Sequence, residues 1–244
     1  MALMLLVTAD VYAQRGHRAP VRRHGRAAEG IGVDFGYVHS WYRTTDWASD
    51  ELTSSTGLDG FFVGLNKDFV LVPYALFLQT GLDYTYLNDA KEESFASLRI
   101  IGDRTEHYAR IPVRIKYLIP VTDRIKVGLD AGPSFSCALS SKLKYRTRLG
   151  EGSTGSYVYN YHKGNAKVES MPAEVQSWIA SQQPDSRYRR IDVQLGVAAG
   201  AEFFDILEAK VGFDFGLVNR LKGEIADDFK TRRGQFYLAV GLRF

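Results

Sequence analysis

Four side chains of this 244-residue chain are candidates for acyl-transfer chemistry: His39, Ser40, His107 and His162. Such chemistry requires a histidine within hydrogen-bond reach of the nucleophile and a third group that orients the histidine. No spacing in the sequence indicates that arrangement, so we interpret His39 and Ser40 as a dipeptide at the end of a strand. The five histidines form no short-spaced cluster with carboxylates, and Cys137 is the single cysteine. We therefore expect no catalytic residue, no metal site and no cofactor.

Charged residues that alternate with apolar ones form a second set. In the last segment Phe236, Leu238, Val240, Leu242 and Phe244 share one face, which is the strand period. If the opposite, polar faces enclose a lumen, their charges must pair, because an isolated buried ion loses its solvation. The predicted lumen ion-pair network consists of Arg110, Arg114, Lys116, Lys126, Arg190, Lys210 and Arg243 with Asp34, Asp83, Asp130, Asp192, Glu202 and Asp214.

Eight alternating segments must position these charges. They cover approximately 31–37, 61–65, 76–84, 111–119, 127–139, 191–203, 211–217 and 236–244. Tight connections near 68–73, 120–123 and 204–207 alternate with long polar ones near 43–57, 88–104, 142–187 and 220–232. Transmembrane barrels alternate short turns with long loops in this way. The predicted fold is therefore all-β, an eight-stranded antiparallel up-and-down transmembrane β-barrel of residues 30–244, with both termini in the periplasm.

Alternation alone also fits a soluble barrel with an apolar interior, so the polar faces decide between the two. They combine Gly, Ala and Ser with charges of both signs, which suits a closed lumen better than a solvated surface. Aromatic residues near segment ends are consistent with interfacial girdles. Those residues are Tyr37, Trp41, Tyr84, Tyr86, Tyr117, Phe203 and Phe236. An eight-stranded lumen is narrow enough for side chains to fill, which disfavours a conducting pore.

The N-terminal region divides into an apolar and a basic part. Residues 1–13 are similar to an export signal that lacks its basic start, with small residues before the Ala13–Gln14 junction. Residues 14–29 carry a net charge of +4; since residues 1–13 contribute −1 to a total of +3, residues 30–244 are neutral. A basic arm of this kind could bind nucleic acid or anionic lipid, and the alternative is a solvated, poorly ordered terminus. In the periplasm we expect it to contact secretion-system components and no nucleic acid. The candidate partner-binding residues of the tail are Arg15, Arg18, Arg22, Arg23 and Arg26.

The connection 142–187 has its own pattern. Tyr157, Tyr159 and Tyr161 alternate, which predicts a strand extension. Val175, Trp178 and Ile179 have helical spacing, so this apolar face either packs on the barrel rim or docks a partner. Basic residues around it could meet lipopolysaccharide phosphates. They are Lys142, Lys144, Arg146, Arg148, Arg187, Arg189 and Arg190.

Four features carry a family resemblance. The terminal strand that ends in Phe244 resembles the assembly signal of bacterial outer-membrane barrels. The segment 110–117 (RIPVRIKY), the Ala13–Gln14 junction and the eight strands resemble the PorT-like outer-membrane β-barrel family of Bacteroidota over most of residues 30–244. The resemblance implies an outer-membrane location, assembly by the barrel assembly machinery, contact with outer-membrane lipid and lipopolysaccharide, and a role in the type IX secretion system.

Three functional hypotheses follow. We expect a non-enzymatic anchor or assembly component that holds the tail on one side of the membrane and the 142–187 loop on the other. A lipid A-modifying barrel enzyme and a surface adhesin that acts through the 142–187 loop are the alternatives.

Overall fold

The computed structural model describes residues 30–47, 49, 52–95, 98–149, 153–170, 173, 176–177 and 187–244. The predicted signal peptide lies outside the described residues. So do the tail with Arg15, Arg18, Arg22, Arg23 and Arg26, and the side chains of Val175, Trp178 and Ile179. In the described part of the chain, no helix is long and apolar enough to cross a membrane.

The described residues are almost entirely β-strand. The strands are β1 (Gly30–Asp46), β2 (Leu52–Val72), β3 (Leu76–Phe95), β4 (Leu98–Pro120), β5 (Ile125–Leu149), β6 (Ser153–Asn160), β7 (Asn165–Glu169), β8 (Arg187–Tyr188), β9 (Ile191–Phe203), β10 (Leu207–Gly216), β11 (Leu221–Lys222) and β12 (Phe229–Arg243). A single turn of helix, α1 (Ile225–Asp228), precedes β12.

Eight of these strands close into an antiparallel ring. β1 to β5 pair in sequence order, β5 pairs with β9, β9 with β10, β10 with β12, and β12 with β1. The amide of Ile31 donates to the Phe244 carbonyl at 3.1 Å and the Phe244 amide donates back at 2.8 Å, so the closing seam is paired to its end. The predicted eight-stranded barrel is confirmed.

The barrel is apolar outside and polar inside. On β1, Ile31, Val33, Phe35 and Tyr37 are exposed, whereas the alternate positions, including Asp34, are buried. The same outward rows continue around the ring and end on β12 with Leu238, Val240 and Leu242. We call these outward rows the apolar band, which on β1 runs from Ile31 to Tyr37 and on β12 from Phe236 to Phe244. An apolar exterior around a charged interior is the arrangement of a barrel in lipid.

Tight turns join the strands at one end of the ring, which we call the turn end. They occupy residues 73–75, 121–124 and 204–206, where the tight connections are predicted. Tyr74, Phe204 and Asp205 adopt φ values of 67°, 56° and 61°, the left-handed conformation that short hairpins require. We call the opposite end the loop end.

The prediction of long loops is wrong over most of these segments, because the strands continue through them. β1 and β2 enter 43–57, β3 and β4 fill most of 88–104, and β5 runs on to Leu149. The hairpin β6–β7 continues this sheet beside β5, so the tyrosine alternation correctly indicates a strand there. Beyond the apolar band neither face of a strand contacts the hydrocarbon of the membrane, so the sequence there shows no apolar alternation to mark a strand.

This continuation makes a tall wall beyond the apolar band. The 25 residues of β5 extend about 80 Å, whereas a membrane crossing needs about 9–11 residues. β9 leaves β5 after the pair Cys137–Ile191, and β6 takes its place. We call this region the upper wall. It comprises 43–46, 52–57, 88–95, 98–105, 141–149, 153–169 and 229–232.

A charge within the apolar band should destabilise the barrel, whereas the upper wall should accept one. We expect Leu129→Lys to lower the free energy of unfolding in lipid vesicles by about 2–4 kcal/mol, because a cation would face hydrocarbon. Ser156→Lys, which adds a charge on the upper wall, is the matched control. Equal denaturation midpoints for Leu129→Lys and the wild type would contradict the lipid-facing assignment.

Candidate functional site

The lumen near the turn end is filled by charged side chains that pair across the barrel. Arg243 Nη1 donates to Asp34 Oδ1 at 2.7 Å, and the other Arg243 terminal nitrogen donates to Glu208. Lys116 Nζ lies 2.9 Å from Glu208 Oε1, and Lys210 Nζ lies 3.2 Å from Asp34 Oδ2. This turn-end cluster comprises Asp34, Lys116, Lys126, Glu202, Glu208, Lys210 and Arg243.

A middle cluster follows in the next layer. Arg110 Nη2 lies 2.7 Å from Asp83 Oδ2, and Arg110 Nη1 donates to Asp214 Oδ2 at 2.8 Å. Arg114 Nη1 donates to Asp130 Oδ1 at 2.9 Å, and its second terminal nitrogen donates to Asp214. Each carboxylate therefore meets a guanidinium in a layer that is sealed from solvent, which satisfies the requirement for paired buried charge.

A loop-end cluster, which was not predicted, surrounds the fully buried Glu106. Arg104 Nη2 donates to Glu106 Oε1 at 2.7 Å, and Tyr42 and Tyr108 both donate to Oε2. Arg220 Nη1 donates to the hydroxyl oxygens of Tyr42 at 3.0 Å and Tyr108 at 2.9 Å. Sequence reasoning missed this cluster because Arg104 and Arg220 fall in connections that were predicted to be loops. The spacing Arg104, Glu106, Tyr108, Arg110 was the available signal, since all four share the inward face of β4.

Tyr161 of the upper wall and Tyr188 of β8 close the lumen above Glu106. Tyr161 and Tyr188 stack with ring centroids 5.0 Å apart and planes 6° apart. The Arg104 guanidinium lies 5.0 Å from the Tyr161 centroid, and the Arg220 guanidinium lies 5.4 Å from that of Tyr188. The stack and the two arginines form a cation–π cap over the barrel.

His162 supports this cap in its neutral form. Its Nδ1 donates to the Tyr188 carbonyl at 3.2 Å, which assigns the proton of the neutral ring to Nδ1. Burial lowers the pKa of His162 from its ordinary value, and the guanidiniums of Arg220 and Arg190 lower the pKa further. Burial also raises the pKa of Tyr161, so its hydroxyl stays protonated. His162 thus has a structural role here.

The predicted lumen charges lie inside the barrel with one exception. Arg190 is exposed, so its assignment to the lumen is wrong. β9 begins only at Ile191, and Arg190 lies in a bend whose carbonyl accepts the Ala138 amide, so the alternation of the strand does not reach it. Asp192, the next inward residue, is fully buried, with Arg233 Nε 3.3 Å from its Oδ2.

The lumen layers leave little space. A cavity of ≈20 Å³ lies between the turn-end and middle clusters, about the room of one water molecule. It is lined by Asp34, Phe62, Asn66, Gln79, Asp83, Arg110, Pro112, Arg114, Lys210 and Tyr237. The residues that the structure describes contain no group of three or more His, Cys, Asp or Glu side chains suited to a metal ion.

The candidate acyl-transfer residues do not come together. His39 and Ser40 lie within β1 rather than at its end, so their side chains point to opposite faces. His39 Nδ1 lies 2.7 Å from Asp59 Oδ1 outside the barrel, and Ser40 is fully buried inside. His107 Nδ1 lies 2.6 Å from the Tyr84 hydroxyl, also outside. Ser40 therefore lies on the opposite side of the barrel wall from His39 and His107 and is paired with neither.

Aromatic side chains form a partial girdle on β1, β2, β3 and β10 at the loop-end edge of the apolar band. Trp41 lies 5.0 Å from Phe213, and Tyr86 lies 5.4 Å from Phe61 and 5.3 Å from His107, measured between ring centroids. Rings at this height suit the boundary between lipid and water. The predicted girdle residues Tyr37, Trp41, Tyr84 and Tyr86 belong to it.

Residues 21–222 match the family model described as outer membrane protein beta-barrel domain. No curated protein sequence matches the chain significantly. Among solved structures, the chain is similar to Ail, the attachment invasion locus protein of Yersinia pestis in complex with the heparin analogue sucrose octasulfate, at 13% identity over 89% of this chain and 100% of Ail, with a TM-score of 0.40. It is also similar to Neisserial surface protein A, at 13% identity over 89% of this chain and 99% of that protein, with a TM-score of 0.41.

Removal of one charge from the middle cluster should destabilise the protein strongly. Asp214→Asn removes the carboxylate that Arg110 and Arg114 share, so each guanidinium loses one of its two charged partners. Because a buried hydrogen bond to a charged group contributes about 1.5–3 kcal/mol, we expect the free energy of unfolding to fall by about 3–5 kcal/mol. Asp123→Asn, in the exposed turn between β4 and β5, is the matched control. A fall of less than about 1 kcal/mol for Asp214→Asn in vesicle-based unfolding would contradict the buried network.

Proposed function

Because the chain belongs to the outer membrane protein β-barrel domain family, we propose that it acts as a non-enzymatic anchor or assembly component of the outer membrane. In this role the barrel holds two segments on opposite sides of the bilayer. The basic tail leads into the turn end of β1, and the upper wall projects from the loop end. The proposal places the turn end and both termini in the periplasm and the upper wall outside the cell.

The filled lumen carries this proposal. Three successive clusters of paired charges and the cap of Tyr161 and Tyr188 occupy the interior from one end to the other. A lumen of this kind supports a role in which the barrel is a rigid fixture and its projecting segments make the contacts. Transport through the barrel would require the clusters to separate, at the cost of unpaired buried charges.

The resemblance of residues 110–117 and of the terminal strand to the PorT-like family supports a more specific role. In it, the barrel anchors a component of a protein secretion apparatus, the type IX secretion system. Its periplasmic contacts would be made by the cations of the tail, with the apolar Val175, Trp178 and Ile179 as a second docking surface on the outer side. Assembly would use the barrel assembly machinery through the alternating terminal strand.

One observation favours the adhesin as a second candidate. Lys142, Lys144 and Arg146 are exposed on the outward face of β5 in the upper wall, and Lys167 on β7 is exposed nearby. A rigid sheet that displays cations beyond the membrane could bind an anionic polymer on another surface.

A filled lumen should not conduct ions. We expect the purified protein to give no single-channel steps in a planar bilayer, because its eight-stranded lumen is filled by side chains. Asp83→Ala/Arg110→Ala, which removes an ion pair and its volume without a net charge change, should give small conductance steps. Asp103→Ala/Lys142→Ala, a charge-neutral change on the outer surface of the upper wall, should stay silent. Porin-like conductance in the wild type would contradict the anchor role.

Copurification of partner proteins distinguishes the anchor hypothesis from the adhesin hypothesis. We expect deletion of residues 15–28 to abolish copurification of periplasmic proteins from the native outer membrane, because the deletion removes the five arginines of the tail. The control Lys142→Gln/Lys144→Gln/Arg146→Gln should copurify the same proteins as the wild type. Unchanged capture by the deletion variant, together with lost surface binding by the triple variant, would instead support the adhesin.

A further inference from the structure

Two arginines face each other on the outside of the barrel at the seam between β1 and β12. Arg43 pairs directly with Arg232 in the antiparallel register, and both side chains are exposed. Like charges at directly opposed positions destabilise a sheet. Within the part of the chain that the structure describes, neither guanidinium has an ion-pair or hydrogen-bond partner. The pair therefore presents an unneutralised double cation.

A third cation, Lys230, lies beside this pair on the outward face of β12. Lys230, one outward position further along β12, lies 4.7 Å from the Trp47 ring centroid. On the other side of Arg43, its partner on β2 is Ser55. The outward carboxylate of Asp59 lies two rows nearer the turn end and already accepts hydrogen bonds from Tyr37 and His39.

The indole ring of Trp41 lies next to the two arginines, on their turn-end side. Trp41 pairs with Gly234, and a Cβ at Gly234 would lie 2.5 Å from Trp41 Cε2, so the indole ring covers β12 at this point. The ring reaches Phe213 on β10. The glycine is therefore needed for the indole to lie across the seam, where it separates the cations from the apolar band.

A groove of ≈490 Å³ lies in the apolar band on β1, β12, β10 and the neighbouring β9. Phe35 and Tyr37 of β1 flank it, and the small side chains of Ala199 and Ala209 form a depression between larger neighbours. Leu238 and Val240 also line it. This surface is concave and apolar at a depth where acyl chains pack.

The spacing of the two features matches one lipid. Arg232 is six residues from Leu238, about 20 Å along the strand and about 15 Å along the membrane normal for a strand tilt near 40°. That separation corresponds to a charged headgroup above the girdle and a saturated acyl chain that extends into the groove. Paired guanidiniums bind a phosphate through parallel hydrogen bonds, which also removes the repulsion between them.

We propose that the outer face of β1, β12, β10 and β9 is a binding site for one phosphorylated glycolipid of the outer leaflet, lipid A. Arg43 and Arg232 clamp one phosphate of the glucosamine headgroup, Trp41 packs beneath the headgroup, and an acyl chain occupies the groove at Ala199 and Ala209. The site rests on the proposed function, since that proposal places the loop end at the outer leaflet.

The test measures binding of purified lipid A to the detergent-solubilised full chain by native mass spectrometry. We expect Arg43→Gln/Arg232→Gln to lower the affinity at least about tenfold, because two charge-assisted contacts are lost. Lys163→Gln/Lys222→Gln removes the same charge from two exposed positions, in the turn after β6 and on β11, and should bind within about twofold of the wild type. Equal losses in the two variants, or no loss in the first, would overturn the proposal.

Two further measurements test the parts of the site. Ala199→Leu/Ala209→Leu should fill the groove and lower lipid A affinity, and dephosphorylated lipid A should bind the wild type as weakly as intact lipid A binds Arg43→Gln/Arg232→Gln. If the groove variant or the dephosphorylated lipid binds as tightly as the wild-type complex, the assignment is wrong. If phosphatidylglycerol binds as tightly as lipid A, the assignment of the site to a glycolipid is wrong and the site binds anionic lipids in general.

The result of the lipid A binding experiment can be distinguished from the result of the partner-capture experiment that tests the proposed function. Binding to the purified chain does not require the tail, so failed partner capture with intact lipid A binding removes the anchor role alone. A thiol-specific label at Ser156→Cys on intact cells tests which side the upper wall occupies. Labelling together with unaltered lipid A affinity in Arg43→Gln/Arg232→Gln would remove the lipid site alone.

Discussion

The pairing of buried charge is the constraint on which the rest of this structure depends. A barrel with an apolar exterior encloses its polar side chains, and each ion there must find an opposite charge within reach. Asp214 meets this requirement by contacting both Arg110 and Arg114, and Asp34 does so with Arg243 and Lys210. These contacts join strands that are distant in the sequence, so the same interactions that neutralise the charges also hold the ring closed.

The pairing explains the glycines on the inward face. A Cβ at Gly196 would lie 1.8 Å from Asp214 Oδ1, and one at Gly64 would lie 2.1 Å from Asp83 Oδ1. The small residues thus make room for carboxylates as well as for the longer cations. Because the layers pack this closely, the described lumen cavity between the turn-end and middle clusters has room for about one water molecule.

Part of the site was predictable and part was not. The charges from Asp34 to Asp214 lie on strands that carry apolar residues on the lipid-facing side and charged residues on the lumen side. Alternation of residue type with a period of two therefore identifies them in the sequence. Glu106 and Arg220 lie beyond the apolar band, where outward residues such as Thr105 meet water and the alternation fades. The prediction that Arg190 lies in the lumen is wrong for a related reason, since Arg190 adjoins a clear strand but lies in a bend. The proximity of Arg43 and Arg232 depends on the register of β1 against β12, which cannot be predicted from the sequence.

The sequence by itself determined the fold class, the number of strands in the ring, the direction of its two faces and the positions of the tight turns. It could do so because lipid on one side and a closed interior on the other impose opposite requirements on successive residues. Only the tertiary structure decided how far the strands extend, which charges pair and which outer residues meet. Those features arise from contacts between strands far apart in the chain, and local periodicity carries no information about them.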